Sequence, residues 1–97
     1  MNIEQSDQQL AKIFFALSDP ARVETVRLMK KAETGELTPT LLCELSRYDL
    51  SFSTRSYHGK ILNEAGLTHI RKEGREKFCS LNKETFEQYL PGFLDTL

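Results

Sequence analysis

Ser51-Phe52-Ser53-Thr54-Arg55-Ser56-Tyr57-His58-Gly59-Lys60-Ile61-Leu62-Asn63-Glu64-Ala65-Gly66-Leu67, residues 51–67, decides how the rest of this chain is read. It opens on small hydroxyl side chains, which can approach a phosphate backbone closely and offer their own donors beside the free N–H groups of a helix start. It closes on Ala65-Gly66-Leu67, where a glycine just past the last turn can take the left-handed conformation that ends a helix. Thr68-His69-Ile70-Arg71-Lys72-Glu73-Gly74-Arg75-Glu76-Lys77-Phe78-Cys79-Ser80-Leu81 follows, a hairpin pattern with glycine between charges at its tip. A helix followed by a basic hairpin is the layout of a winged helix-turn-helix. The expected fold class is therefore mainly α (α+β), about five helices with a two-stranded β-hairpin wing.

Outward from this segment the chain reads as helices, with no repeat and no linker. Leu10, Ile13, Phe14 and Leu17 fall at i, i+3, i+4 and i+7, one apolar stripe on a first helix. Ser18-Asp19-Pro20 stops it and starts another, with Asp19 as N-cap, Pro20 at the first helical position and Val23, Val26 and Met29 facing inward to about Lys31. Gly35 ends that region. Thr38-Pro39 repeats the cap-and-proline signature and opens a short helix carrying Leu41, Leu42 and Leu45, the first of the helix-turn-helix pair, with Arg47 to Leu50 as the turn. After the hairpin, Asn82 caps a last helix with Phe86, Tyr89 and Leu90 on one side. Pro91-Gly92 breaks it and leaves Phe93, Leu94 and Leu97 in a terminal turn.

With 97 residues the chain is expected to form a single domain over 1–97, burying only roughly 60 to 65% of its unfolded surface. A hydrophobic fraction of 39% beside 28% charged residues argues against disorder and against a membrane partner. The longest apolar run, Ile13 to Leu17, is five residues, far short of the roughly 20 that cross a bilayer, and has no signal-peptide flanks. A cytoplasmic location is the expectation. Cys43 and Cys79 are too few for a disulfide scaffold and read as small buried side chains. The net charge of −1 hides a segregation. Residues 51–77 hold Arg55, Lys60, Arg71, Lys72, Arg75 and Lys77 against Glu64, Glu73 and Glu76, a surplus of three positive charges, so the remainder carries −4. A positive face on a mildly acidic body suits phosphate contacts while limiting indiscriminate association.

Several stretches together resemble the arsenic-repressor (ArsR/SmtB) type of bacterial winged-helix transcription regulators. They are Leu17-Ser18-Asp19-Pro20-Ala21-Arg22, Ser51-Phe52-Ser53-Thr54 with His58, Glu64-Ala65-Gly66-Leu67, Arg71-Lys72-Glu73-Gly74-Arg75 and the terminal Tyr89-Leu90-Pro91-Gly92-Phe93-Leu94-Asp95. The resemblance covers almost the whole chain. It implies a homodimer packed through the first and last helices, binding a two-fold symmetric operator in double-stranded DNA and repressing transcription. By position it carries groove contacts to Phe52, Ser53, Ser56, Tyr57 and Lys60. From the residues alone, Ser53, Ser56, Tyr57 and Lys60 share one polar helix face suited to a major groove. Thr54 and Arg55 are added from the hydroxyl-rich helix start, and Arg71, Lys72 and Arg75 from the wing. The dimer face is expected from Leu10, Ile13 and Phe14 with Phe86, Tyr89, Leu90 and Phe93.

Two positions depart from the pattern. Family members tend to carry apolar residues where this chain has Arg55 and Gly59. Arg55 reads as a side chain reaching out to phosphate, since an unpaired buried guanidinium would be costly, and Gly59 as room for Tyr48 or Phe52 to pack closely. The resemblance also implies metal sites, one from a Cys-x-Cys pair at the positions held here by Leu41 and Cys43, another from Asp and His in the last helix. Leucine cannot coordinate and residues 83–97 contain no histidine, so no metal and no cofactor is expected. His58 and His69 read as structural or surface residues. A thiol switch between Cys43 and Cys79 would need their Cα atoms within about 7 Å. The competing classes are a winged helix docking a partner protein and a thiol- or metal-responsive sensor repressor. An enzyme is not expected, for want of a catalytic pair at a persuasive spacing or a Gly-rich phosphate loop. The effector is not readable.

Overall fold

The computed structural model describes residues 3–97. Helix α1 spans Ile3–Ala16, α2 Pro20–Lys31, α3 Pro39–Leu45, α4 Phe52–Glu64 and α5 Lys83–Tyr89, with a 3-10 turn at Leu94–Thr96. Strands β1 (Glu36–Leu37), β2 (Thr68–Glu73) and β3 (Glu76–Leu81) form an antiparallel sheet in the order β1-β3-β2. The fold is a winged helix-turn-helix, and its hairpin wing gains a third, two-residue strand at its base.

The helix starts follow from their caps. Asp19 accepts from the Ala21 and Arg22 N–H groups at 2.8 and 3.4 Å with Pro20 in the first turn. Thr38 accepts from Leu41 N–H at 3.1 Å, Ser51 from Thr54 N–H at 3.1 Å and Asn82 from Thr85 N–H at 3.4 Å. At the far end of α4, Gly66 takes φ +79° and its N–H donates to the Asn63 carbonyl, while Leu67 N–H donates to that of Leu62. This closure turns the chain straight into β2.

Ile13, Val26, Met29, Leu62, Leu67 and Phe86 are buried to 2% exposure or less and form the centre of the core, joined by Leu37 of β1 and Leu81 of β3. Among the described residues two charged side chains, Arg22 and Glu24, are also buried, and both are paired. Arg22 donates through Nε to the Ala16 carbonyl at 2.7 Å, otherwise left free at the end of α1, and through Nη2 to that of Phe15 at 3.1 Å, which also accepts from Ser18. Glu24 accepts from Ser46 Oγ and from Arg47 N–H at 2.9 Å, and so fastens the end of α3 to α2.

Three expectations are corrected here. Ile13 and Phe86, assigned to a dimer face, lie in the chain's own core at 0% and 2% exposure, Ile13 because α1 packs against α4. Phe14 is 55% exposed, and Leu10, Tyr89, Leu90 and Phe93 are half-buried. Cys43 is exposed on α3 instead of buried, whereas Cys79 is half-buried and its thiol pKa is pushed up by burial.

Candidate nucleic-acid interface

Helix α4 buries Ile61, Leu62 and the capping Ala65 near its C-terminal end, and its first half touches the domain on one side only, through Arg55 and His58. Ser53, Ser56, Tyr57 and Lys60 are all exposed, the single polar face that the i, i+3, i+4, i+7 spacing requires. Phe52 precedes them at 84% exposure. Lys60 lies 3.8 Å from Glu64 one turn on, a weak exposed pair that leaves its charge available. Thr54 is half-buried, and its hydroxyl accepts from Ser51 Oγ at 2.9 Å, so it belongs to the cap as well as to the surface.

Arg55 corrects the expectation of an outward reach. Its Nη2 donates to the Tyr48 carbonyl at 2.6 Å, and its Nε–H is buried without an acceptor among the described residues. The guanidinium thus braces the turn between α3 and α4. Gly59 brings no aromatic ring closer, since a Cβ built there meets nothing within 4 Å.

The sheet register sorts the wing charges. Side chains alternate along a strand, so Ile70 and Lys72 share a face with their cross-strand partners Cys79 and Lys77, while Arg71 and Glu73 share the opposite face with Phe78 and Glu76. On that second face Arg71 is committed within the protein. It pairs with Glu36 of β1 at 3.1 and 3.0 Å and with Glu73 at 2.8 Å, and its guanidinium lies 4.3 Å over the Phe78 ring. The hydrogen bond from Arg71 holds the Glu36 carboxyl below its ordinary pKa. Arg71 therefore clasps β1 to the hairpin and is corrected from phosphate contact to wing brace. Lys72 and Lys77 stand opposite each other, like charges whose repulsion is unfavourable unless an anion comes between them. Sequence reasoning left Lys77 out of the site, and the register is the signal that brings it in. Arg75 is exposed beside Gly74, which takes φ +61° at the tip.

His58 points away from this surface. It is largely buried, with Nε2 4.0 Å from Asp19 Oδ2, and burial chiefly lowers its pKa although Asp19 opposes that shift. His69 is exposed on the wing. Among the described residues no three His, Cys, Asp or Glu side chains are grouped as metal ligands, and no helix is long and apolar enough to cross a membrane.

Known proteins bearing on this geometry agree with one another. The chain is 44% identical over 102 residues to an HTH-type transcriptional regulator of Bacillus subtilis (strain 168), YceK, spanning all of this chain and 95% of that protein. It is 33% identical to a homologue of the cadmium resistance regulatory protein CadC from Staphylococcus aureus, over 88% of this chain and 67% of the relative. It is 35% identical to the arsenical resistance operon repressor of Staphylococcus xylosus, over 95% of this chain and 83% of the relative. Among solved structures, the ArsR family transcriptional regulator RHA00566 superposes with a TM-score of 0.74 at 27% identity, covering 93% of this chain and 87% of that one. HlyU from Vibrio cholerae shares the fold at a TM-score of 0.73 and 22% identity, over 97% of this chain and 92% of its own. No protein-family model matches the chain.

Proposed function

The chain belongs to the ArsR/SmtB family of winged-helix transcriptional regulators, and from that premise we propose that it is a homodimeric repressor, working in the cytoplasm on a two-fold symmetric operator. The observation that carries the reading is the exposed first half of α4. Ser53, Ser56, Tyr57 and Lys60 make one exposed polar face with Phe52 at its start, while Arg55, His58, Ile61 and Leu62 hold the opposite side of the helix to the domain. Hydroxyls and a lysine reach phosphate and base edges, and a tyrosine can hydrogen-bond while packing on a thymine methyl. Lys72, Lys77 and Arg75 extend the positive surface along the wing, where they would hold the flanking backbone. Arg55 and Arg71 act indirectly, bracing the turn and the wing that present these groups.

Selection of bound fragments from random double-stranded DNA tests this. The expected result is an inverted repeat with half-sites one helical turn or a multiple of it apart, bound with an affinity that falls steeply as salt rises. Enrichment of no sequence, together with salt-insensitive binding to a protein partner, would replace this reading with that of a protein-docking winged helix.

A further inference from the structure

A cavity of about 680 Å³ lies between α2, α3, α4 and β3, within the size range of small-molecule sites. Ala21, Leu42, Leu50 and Phe52 give it an apolar wall, and Gly59 lines it where a Cβ would meet nothing within 4 Å. Arg55 lines it too, with one nitrogen held by the Tyr48 carbonyl and the Nε–H buried and unmet among the described residues. The Nε–H is closed off from the cavity as the side chain stands, so an acceptor in the cavity reaches it only when Arg55 moves off Tyr48. The Lys77 ammonium adds a second positive charge against the single carboxylate of Glu44. Burial lowers the pKa of His58 and so favours its uncharged form, and Ser46 and Ser56 carry no charge. The lining is therefore net positive over an apolar wall.

We propose that this cavity is an effector site for a small organic carboxylate with an apolar or aromatic body, its carboxylate taken by Arg55 and Lys77 and its body lying against Leu42, Leu50 and Gly59. The consequence rests on the regulator reading. Phe52 and Ser56 belong at once to the cavity and to the helix face assigned to DNA, and Arg55 ties the cavity to the turn that sets α4 against α3. A carboxylate that draws Arg55 off Tyr48 binds the DNA-competent arrangement less well than the free one, and by linkage weakens DNA binding.

Benzoate, phenylacetate, indole-3-acetate and hexanoate, each beside its amide, are titrated into the isotope-labelled chain without DNA, and amide resonances are followed. At least one acid should bind saturably, shifting residues 55–59 and 77–79, with its amide weaker by about tenfold or more. Arg55→Gln should weaken that acid similarly, and Gly59→Leu, whose Cβ meets nothing within 4 Å and which removes a helix glycine, should abolish it. Saturable binding by none of the four, equal binding of acid and amide, or an unaffected Gly59→Leu chain overturns the site. The bound acid should then lower operator affinity about fivefold or more in the unmodified chain and leave that of Gly59→Leu unchanged. No change in the unmodified chain overturns the effector role. Acid binding by a chain that never binds DNA overturns the regulator reading instead.

Discussion

Arg22 is charged and all but buried because the end of α1 supplies what it needs. The Ala16 carbonyl has no backbone N–H to receive, and the guanidinium reaches it, as well as the Phe15 carbonyl that Ser18 also serves, while lying 5.3 Å from the Phe15 ring. Arg22→Ala strands the Ala16 carbonyl and should lower unfolding stability by about 1–3 kcal/mol, read from urea denaturation. His58 makes a pH-dependent contribution of opposite origin. Burial favours its neutral form, so its folded pKa lies below the ordinary 6.5, and the folded state takes up fewer protons than the unfolded chain. Stability is complete above about pH 6.5 and is lost as pH falls through the folded pKa. For Asp19, burial would raise the pKa, but the Ala21 and Arg22 N–H donors and the nearby His58 and Arg22 charges outweigh it and the net shift is downward. Its contribution is present above its ordinary value of 3.8 and fades only at lower pH, outside the histidine window. The melting temperature should therefore decline between about pH 7 and pH 5, and His58→Gln should flatten that decline. An equal slope in both proteins would show that His58 is not its source.

Among the elements, the wing divides its cations by task. Arg71 is held by two carboxylates and a ring, whereas Arg75 stands at the tip and is exposed. Arg75→Ala should weaken binding to all DNA sequences alike and reduce the slope of log affinity against log salt by about one. Arg71→Gln should leave that slope nearly unchanged and instead speed amide exchange in β1 and β3, since Glu36 would lose its clasp. The reverse assignment of effects would return Arg71 to the phosphate contacts. In α4, whose exposed face carries Tyr57, Tyr57→Ala is expected to alter sequence preference more than overall affinity.

At the scale of the whole molecule, the apolar side chains that the core leaves uncovered bear on assembly. Phe14 and Phe15 are each 55% exposed on α1, and Leu10, Tyr89, Leu90 and Phe93 are half-buried toward the two ends of the chain. Exposed large apolar groups at this density mark a contact surface, and a second copy meeting the first across a two-fold axis is the simplest occupant. Sedimentation velocity at micromolar concentration should show a dimer. Phe14→Glu should yield a folded monomer with much weaker operator binding, and full binding by that monomer would remove the dimer from the proposal.

The features legible in the sequence are those whose causes lie within a few residues. The caps Asp19, Thr38, Ser51 and Asn82 act two or three positions away, and the left-handed Gly66 and Gly74 answer a local backbone demand. The helical period alone places Ser53, Ser56, Tyr57 and Lys60 on one face. What the sequence could not disclose depends on partners that only the fold assembles. Arg71 is claimed by Glu36 from 35 positions away, and Glu24 holds Ser46 and Arg47 across 22 and 23. Strand β1 exists because β3 lies beside it, two residues being too few to signal a strand alone. Ile13 and Phe14, neighbours on one predicted stripe, part company because a helix packed on one side buries one and leaves the next, a hundred degrees round, to water. Whether an arginine faces phosphate or carbonyl is likewise decided by which acceptor the folded chain brings within reach, and for Arg55 that acceptor is the Tyr48 carbonyl.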